Sequence, residues 1–276
     1  MNSKHHSISI SQRKTIFSNK ALSSAAAIWF VTAVLGQWIF AFYVAAFYGG
    51  AAINGDFMKW NRVLPHGYIE GDTIGNTAVA IHLLFAIVIM LGGPIQFVPQ
   101  IRNRFPAFHR WNGKLYLVTA FIASFSGIYM VLTKGTITGI TGDISVSFNG
   151  LLIMLFALLA WRMAVVRKFK AHERWVLRLF LVVNGVWFFR IGLMLSFLLN
   201  GGPFGFDPET FRGPFITFLG IGQYMIPLLI LELYFFTKDR TGNFGKLAMA
   251  TTLFVMTIFM GLGVFAATTG MWLPRL

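Results

Sequence analysis

The chain contains no cysteine and little charge: of 276 residues only 12% are Asp, Glu, Lys or Arg, and just nine are acidic. Without cysteine, neither a disulfide scaffold nor a thiolate zinc site can be built. Soluble domains carry about 25% charged residues to keep their surface in water, and half that supply cannot cover a globule of this length. Low-hydrophobicity stretches are too few for a disordered chain. No glycine-rich phosphate loop follows a strand, and no run alternates polar and apolar residues as a transmembrane β-strand does. No His-Glu-x-x-His is present, His172-Glu173 alone does not make a metal site, and no serine stands in a recognisable nucleophile setting. These absences leave hydrolase and metalloprotease chemistry without support.

What is present is apolar: 56% of the residues, among them 30 Phe and 8 Trp, with a mean hydropathy of +0.68. Seven windows are long and almost uncharged, at about 22–47, 76–99, 113–133, 147–166, 175–199, 213–236 and 247–268. About twenty helical residues cross a bilayer core of roughly 30 Å, so each window is long enough to span. The expected fold is all-α, a seven-transmembrane-helix bundle. Residues 1–20 read as a basic cytoplasmic tail, and 21–276 as a single transmembrane helical domain whose first helix is an uncleaved anchor.

Lysine and arginine orient it. Alternate loops and their flanks hold 17 of the 23 basic residues, beginning with Lys4, Arg13, Lys14 and Lys20, while the opposite side holds five. Cytoplasmic loops collect such residues, which predicts the N-terminus inside, the C-terminus outside, and a multi-pass protein of the bacterial inner membrane. The net charge of +14 then serves orientation and contact with anionic lipid head groups on the inner side, and nucleic acid is not an expected partner.

Ionisable and amide groups inside hydrocarbon need an explanation, because a charged side chain costs about 2.5–3.5 kcal/mol there. Helical rise puts His82 and Arg190 at one level, each roughly 8–9 Å below the outer surface. Arg178 and Glu232 share an inner level, and Asn184 and Gln223 both fall near the midplane. Arg178 with Glu232 is expected as a salt bridge, and Asn184 with Gln223 as an interhelical hydrogen bond. Arg190 has no acid at its depth, so its partner is carbonyl oxygen, an acid reached by snorkelling, or an anion on something bound. Arg178, Asn184 and Arg190 recur every six residues and so make the fifth window polar on all sides, which predicts it as the most enclosed helix. Gly92, Gly93 and Pro94 are expected to break or kink the second window near its inner end, exposing carbonyls next to Gln96.

The histidines allow a cofactor. His5 and His6 belong to the tail and His66 to the long outer loop, while His109 and His172 flank two helices on the inner side beside Arg and Trp. Imidazole is the commonest axial haem ligand, and facing helices are where such a cofactor sits. His109 with His172 could clamp one haem b, and His82 with His66 another. Residues 105–118 and 169–182 also match at seven of fourteen positions, as an internal duplication or as a shared interfacial composition.

His82, Gly93-Pro94-Ile95-Gln96, Arg102, His109-Arg110-x-x-Gly113-x-x-Tyr116, His172-x-x-Trp175-x-x-Arg178 and Arg190 together resemble the pattern of an uncharacterised family of bacterial integral membrane proteins defined as a domain of unknown function. The resemblance covers about 80–195 and implies membership without implying an activity. Three function classes follow from the residues. One is a redox-type protein holding a b-type haem or a quinone between helices, with His82, His109 and His172 as ligands or contacts and Arg178 or Arg190 neutralising a carboxylate. The others are a transporter or channel for a small anionic solute, and a non-catalytic scaffold or assembly partner.

Overall fold

A computed structural model describes residues 10–64 and 66–276. Lys4, His5 and His6 of the tail, and Pro65 of the long loop, lie outside the described residues. The described chain is helical: α1 Ile10–Val44, α2 Gly50–Ile53, α3 Thr73–Ile95, α4 Pro99–Arg104, α5 Pro106–Lys134, α6 Ile140–Val165, α7 Phe169–Val183, α8 Gly185–Asn200, α9 Pro214–Arg240 and α10 Asn243–Ala267. Six helical stretches are long and apolar enough to cross a membrane, and the pair α7 and α8, bent by 52° at its break, is so when taken together, which gives six or seven candidate crossings. The chain is an all-α, multi-pass membrane bundle.

Three boundaries differ from expectation. α1 begins at Ile10, inside the segment read as a tail, because its first turns pack on the start of α10: Ser18 Oγ donates to Asn243 Oδ1 (2.8 Å) and Lys246 Nζ to Asn19 Oδ1 (2.8 Å). α3 is not broken at Gly92–Pro94 but runs on to Ile95. Pro94 has no N–H to give the Met90 carbonyl four residues back, a loss confined to the helix's last turn, and Asn112 Nδ2 supplies a donor to the Gly92 carbonyl, one of the end carbonyls the helix leaves free (3.0 Å). The fifth crossing, expected as one helix, is instead divided at Asn184. There the Asn184 Nδ2 donates to the Phe180 carbonyl (2.6 Å) and Asn149 Nδ2 on α6 to the Val182 carbonyl (3.1 Å). Side-chain amides that compete for backbone groups, followed by a glycine, end a helix that hydrophobicity alone would continue. From Trp175 to Phe197 only Val186 is exposed, so this crossing is enclosed.

The packing order follows a ring. α1 packs on α3 and α10, α3 on α5, α5 on α6, α6 on α7, and α8 closes on α10, while α9 lies outside against α6, α7 and α8. Transmembrane helices approach closely where small residues meet. Gly36 on α1 faces Trp187 and Val264 so tightly that a Cβ would sit 2.7 Å from each, and Gly263 on α10 lies against the backbone of Ile191. One end of the bundle holds the start of α1, the α3–α5 corner, the α6–α7 turn and the α9–α10 turn; it is called the basic end below. The loop between α2 and α3 folds over the other end, with Trp60 buried and its Nε1 donating to the Tyr48 carbonyl (3.0 Å). Phe57 and Tyr68 stack beneath it.

Candidate functional site

Inside the ring, in the half away from the basic end, is a cavity of about 350 Å³ with walls from α1, α3, α5, α6, α7 and α8. His82 and Arg190, matched by depth in the sequence, both line it, and so does His66 from the folded-over loop. The cavity reaches down to Asn149 and Asn184. The helix break therefore lies in its wall, as irregular backbone at membrane depth does when it faces a cavity rather than lipid.

His82 is oriented by its surroundings. Its Nδ1 lies 2.9 Å from the Ala123 carbonyl oxygen on α5. A carbonyl only accepts, so Nδ1 carries the proton and, in the neutral ring, Nε2 keeps its lone pair. Gly127 makes this fit possible, since a Cβ there would stand 3.2 Å from His82 Cε1. Nε2 has no hydrogen-bond partner among the described residues and is not sealed by protein atoms.

Arg190 is placed differently from every other cation in the spans. Nη1 donates to the Val186 carbonyl (3.3 Å), and Cζ stands 5.2 Å above the Phe40 ring. No carboxylate pairs with it among the described residues. The groups within electrostatic reach are the phenols of Tyr43 and Tyr48 and a second cation, Arg275. Among the described residues eight buried side-chain polar atoms lack a partner, and four belong to this wall: Tyr43 Oη, Tyr48 Oη, Asn149 Oδ1 and Trp187 Nε1. Such atoms each cost about 1–3 kcal/mol, and their clustering marks a place built for something other than stability. At the mouth, Lys134 Nζ donates to the His66 carbonyl (2.9 Å) and lies 3.5 Å from Asp72 Oδ2, tying the loop to α5. Tyr43, Tyr48 and Trp187 were missed by sequence reasoning because aromatic residues are abundant in every span. Asn149, the one amide inside its window, was a usable signal.

The remaining residues fall elsewhere. Arg178 Nε and Nη2 donate to Glu232 Oε1 (2.6 Å) and Oε2 (2.9 Å), so the salt bridge expected from depth is present and is bidentate. Asn184 and Gln223 do not bond to each other. Gln223 Nε2 donates to its own helix at Gly220 (2.7 Å) as Asn184 does at Phe180, because the divided crossing and α9 each offer a nearer acceptor than the opposite helix. His109 and His172 are near enough to interact electrostatically. His172 Nδ1 donates to the Ala160 carbonyl (2.9 Å). The Gln96 amide nitrogen donates to His109 Nδ1 (3.0 Å), so the His109 proton is on Nε2 and no lone pair is offered there. Neither residue is in the cavity wall. Among the described residues no cluster of three His, Asp or Glu could hold a bare metal ion. A larger groove of about 550 Å³ between α1, α8, α9 and α10 has no charged residue in its lining.

Geometry and composition define an α-helical integral membrane protein with a largely apolar cavity among whose lining residues are His82, Arg190, Asn149 and Asn184. Residues 79–211 match a family described as Predicted membrane protein (DUF2306), an uncharacterised membrane family, and this segment carries His82, Gln96, His109, His172, Arg178 and Arg190. The match takes in a little under half of the chain. No curated protein and no solved structure matches significantly.

Proposed function

We propose that the protein is a redox-type membrane protein that holds a b-type haem in the cavity between α1, α3, α5 and α8. The observation that carries this reading is the hydrogen bond of His82: an imidazole in the wall of a largely apolar cavity whose Nδ1–H is held by a backbone carbonyl, which leaves Nε2 without a partner among the described residues. Ligating histidines are oriented by that same backbone hydrogen bond. The donor chemistry of the wall fits the group. His82 would supply Nε2 and His66 is a second imidazole of the wall, while Arg190, lacking a protein carboxylate, would face a propionate. A bound haem supplies one-electron chemistry, and the protein's part is to hold and orient it and to exclude water. The lysine and arginine bias supports a basic end at the cytoplasmic face of a bacterial plasma membrane.

The absorption spectrum of detergent-purified protein, expressed with haem supplied, tests this reading. A Soret band is expected in the wild type, lost in His82→Ala and retained in His109→Ala. No band in the wild type, or a band indifferent to His82 and Arg190, overturns it. A second reading, an anionic-solute path, is favoured by the divided α7–α8 crossing in the cavity wall, since broken helices line the substrate sites of many transporters. Flux into proteoliposomes that depends on Arg190, in a protein with no Soret band, would favour it instead.

A further inference from the structure

The segment running from Gly93 through Arg102 to Tyr116 has no part in the cavity's chemistry, although its spaced residues are the most distinctive in the chain. At the basic end it forms a corner where α3 ends, α4 turns and α5 begins. Glycines let these elements meet: a Cβ at Gly93 would stand 2.6 Å from the Tyr116 ring, and one at Gly113 3.2 Å from the Gln96 amide. Gln96 is wedged against the first turns of α5, and two backbone groups settle which way its amide faces. The Gly113 N–H (3.1 Å) can only donate, so it meets the amide oxygen, which also accepts from Asn112 Nδ2. The His109 carbonyl (3.1 Å) can only accept, so it meets the amide nitrogen. That nitrogen also faces His109 Nδ1, which therefore accepts, and the imidazole presents an N–H at Nε2.

We propose that this corner binds the phosphate of an anionic lipid head group, with His109 Nε2–H, Arg102 and Arg110 as its donors. The Nε2–H has no partner among the described residues and is not sealed by protein atoms. Arg102, Arg110 and His172 are the charges within reach of that ring, and all are basic. Among the described residues none of Arg102, Arg104, Arg110 and Lys114 is paired with a carboxylate. The contrast with the similar segment 169–182 is informative, because there Arg174 pairs with Asp239 and Arg178 with Glu232. Arg174 and Arg178 are thus neutralised by protein, whereas Arg110 and Lys114 at the matching positions are not. A lipid is favoured over a free ion by what surrounds the donors. Phe105, Phe108 and Trp111 are exposed, with Arg104 over the Phe105 ring and Lys114 over the Trp111 ring. Such aromatics with cations sit at the level of lipid head groups.

The test is native mass spectrometry of the full chain, released from nanodiscs of phosphatidylcholine or of an equimolar mixture with phosphatidylglycerol. Retained phosphatidylglycerol is expected on the wild type. Arg102→Gln and Arg110→Gln should each weaken retention about fivefold, the worth of one basic residue near an anionic surface. His109→Phe should weaken it as well, and Lys170→Gln, in the other copy, should leave it unchanged. Both arginines are exposed, so their variants fold, and unchanged thermal midpoints check that. Equal retention of phosphatidylcholine overturns the proposal, as does a Lys170→Gln effect as large as the others. Displacement of the lipid by millimolar inorganic phosphate would reassign the site to a soluble phosphate and overturn the lipid as its occupant.

Discussion

Arg190→Met is expected to raise the thermal stability of the ligand-free protein and, on the haem reading proposed above, to abolish retention of that group. The two effects have one cause. Arg190 is held in an apolar wall with a single long hydrogen bond to Val186, the face of Phe40, and the like charge of Arg275 in reach. A cation so placed costs about 2.5–3.5 kcal/mol in a spanning segment. Replacing buried charge by an apolar side chain of similar length is neutral or stabilising by about 1–4 kcal/mol. The methionine thioether fills the space beside Phe40 without desolvating a charge, and it offers nothing to a carboxylate. Thermal melts of wild type and variant, both stripped of ligand, give the first sign; ligand content after purification gives the second. A large fall in the midpoint, comparable to that of Arg190→Ala, would mean that the guanidinium is a structural group, and the haem-carboxylate role would go with it.

How much of this was legible beforehand depends on geometry along the helix axis as against geometry around it. Depth is linear in sequence, so the seven crossings, the Arg178–Glu232 pair and the shared level of His82 and Arg190 could all be worked out at about 1.5 Å per residue. Which way a side chain points around its helix depends on packing that no single crossing encodes. That is why Asn184 and Gln223, correctly matched in height, each turned to their own backbone instead of to one another. The hydrogen-bond partners of the histidines were further out of reach, because each is a carbonyl on another helix, Ala123 for His82 and Ala160 for His172. The break at Asn184 was signalled by an Asn-Gly pair in a greasy run, but mean hydropathy over a window outweighs two residues. The aromatic loop over the cavity mouth, with Trp60 on the Tyr48 carbonyl and Lys134 on the His66 carbonyl, joins segments too far apart for periodicity to reveal.

Gly263→Ala is expected to destabilise the bundle and to loosen the cavity, while Gly261→Ala, one residue away from being its neighbour on the same helix, does neither. Both substitutions gain about 1 kcal/mol of helix propensity over glycine. At Gly261 a Cβ meets nothing within 4 Å, and the gain stands. At Gly263 it would lie 2.7 Å from the carbonyl oxygen of Ile191 and 3.2 Å from its carbonyl carbon. These are backbone atoms of α8 and cannot rotate aside, so α8 and α10 must separate, an overpacking that costs typically about 1–3 kcal/mol. Ile191 follows Arg190 directly, and Trp187 lies one turn earlier against Gly36 of α1. Moving α8 outward therefore displaces the cavity's cation as well as its packing. The thermal midpoint of Gly263→Ala should fall below wild type, with a parallel loss of haem retention on the reading proposed above, and that of Gly261→Ala should hold or rise. Equal midpoints for the two variants would show that the α8–α10 contact is slack and that the position of Arg190 is set by something other than this close approach.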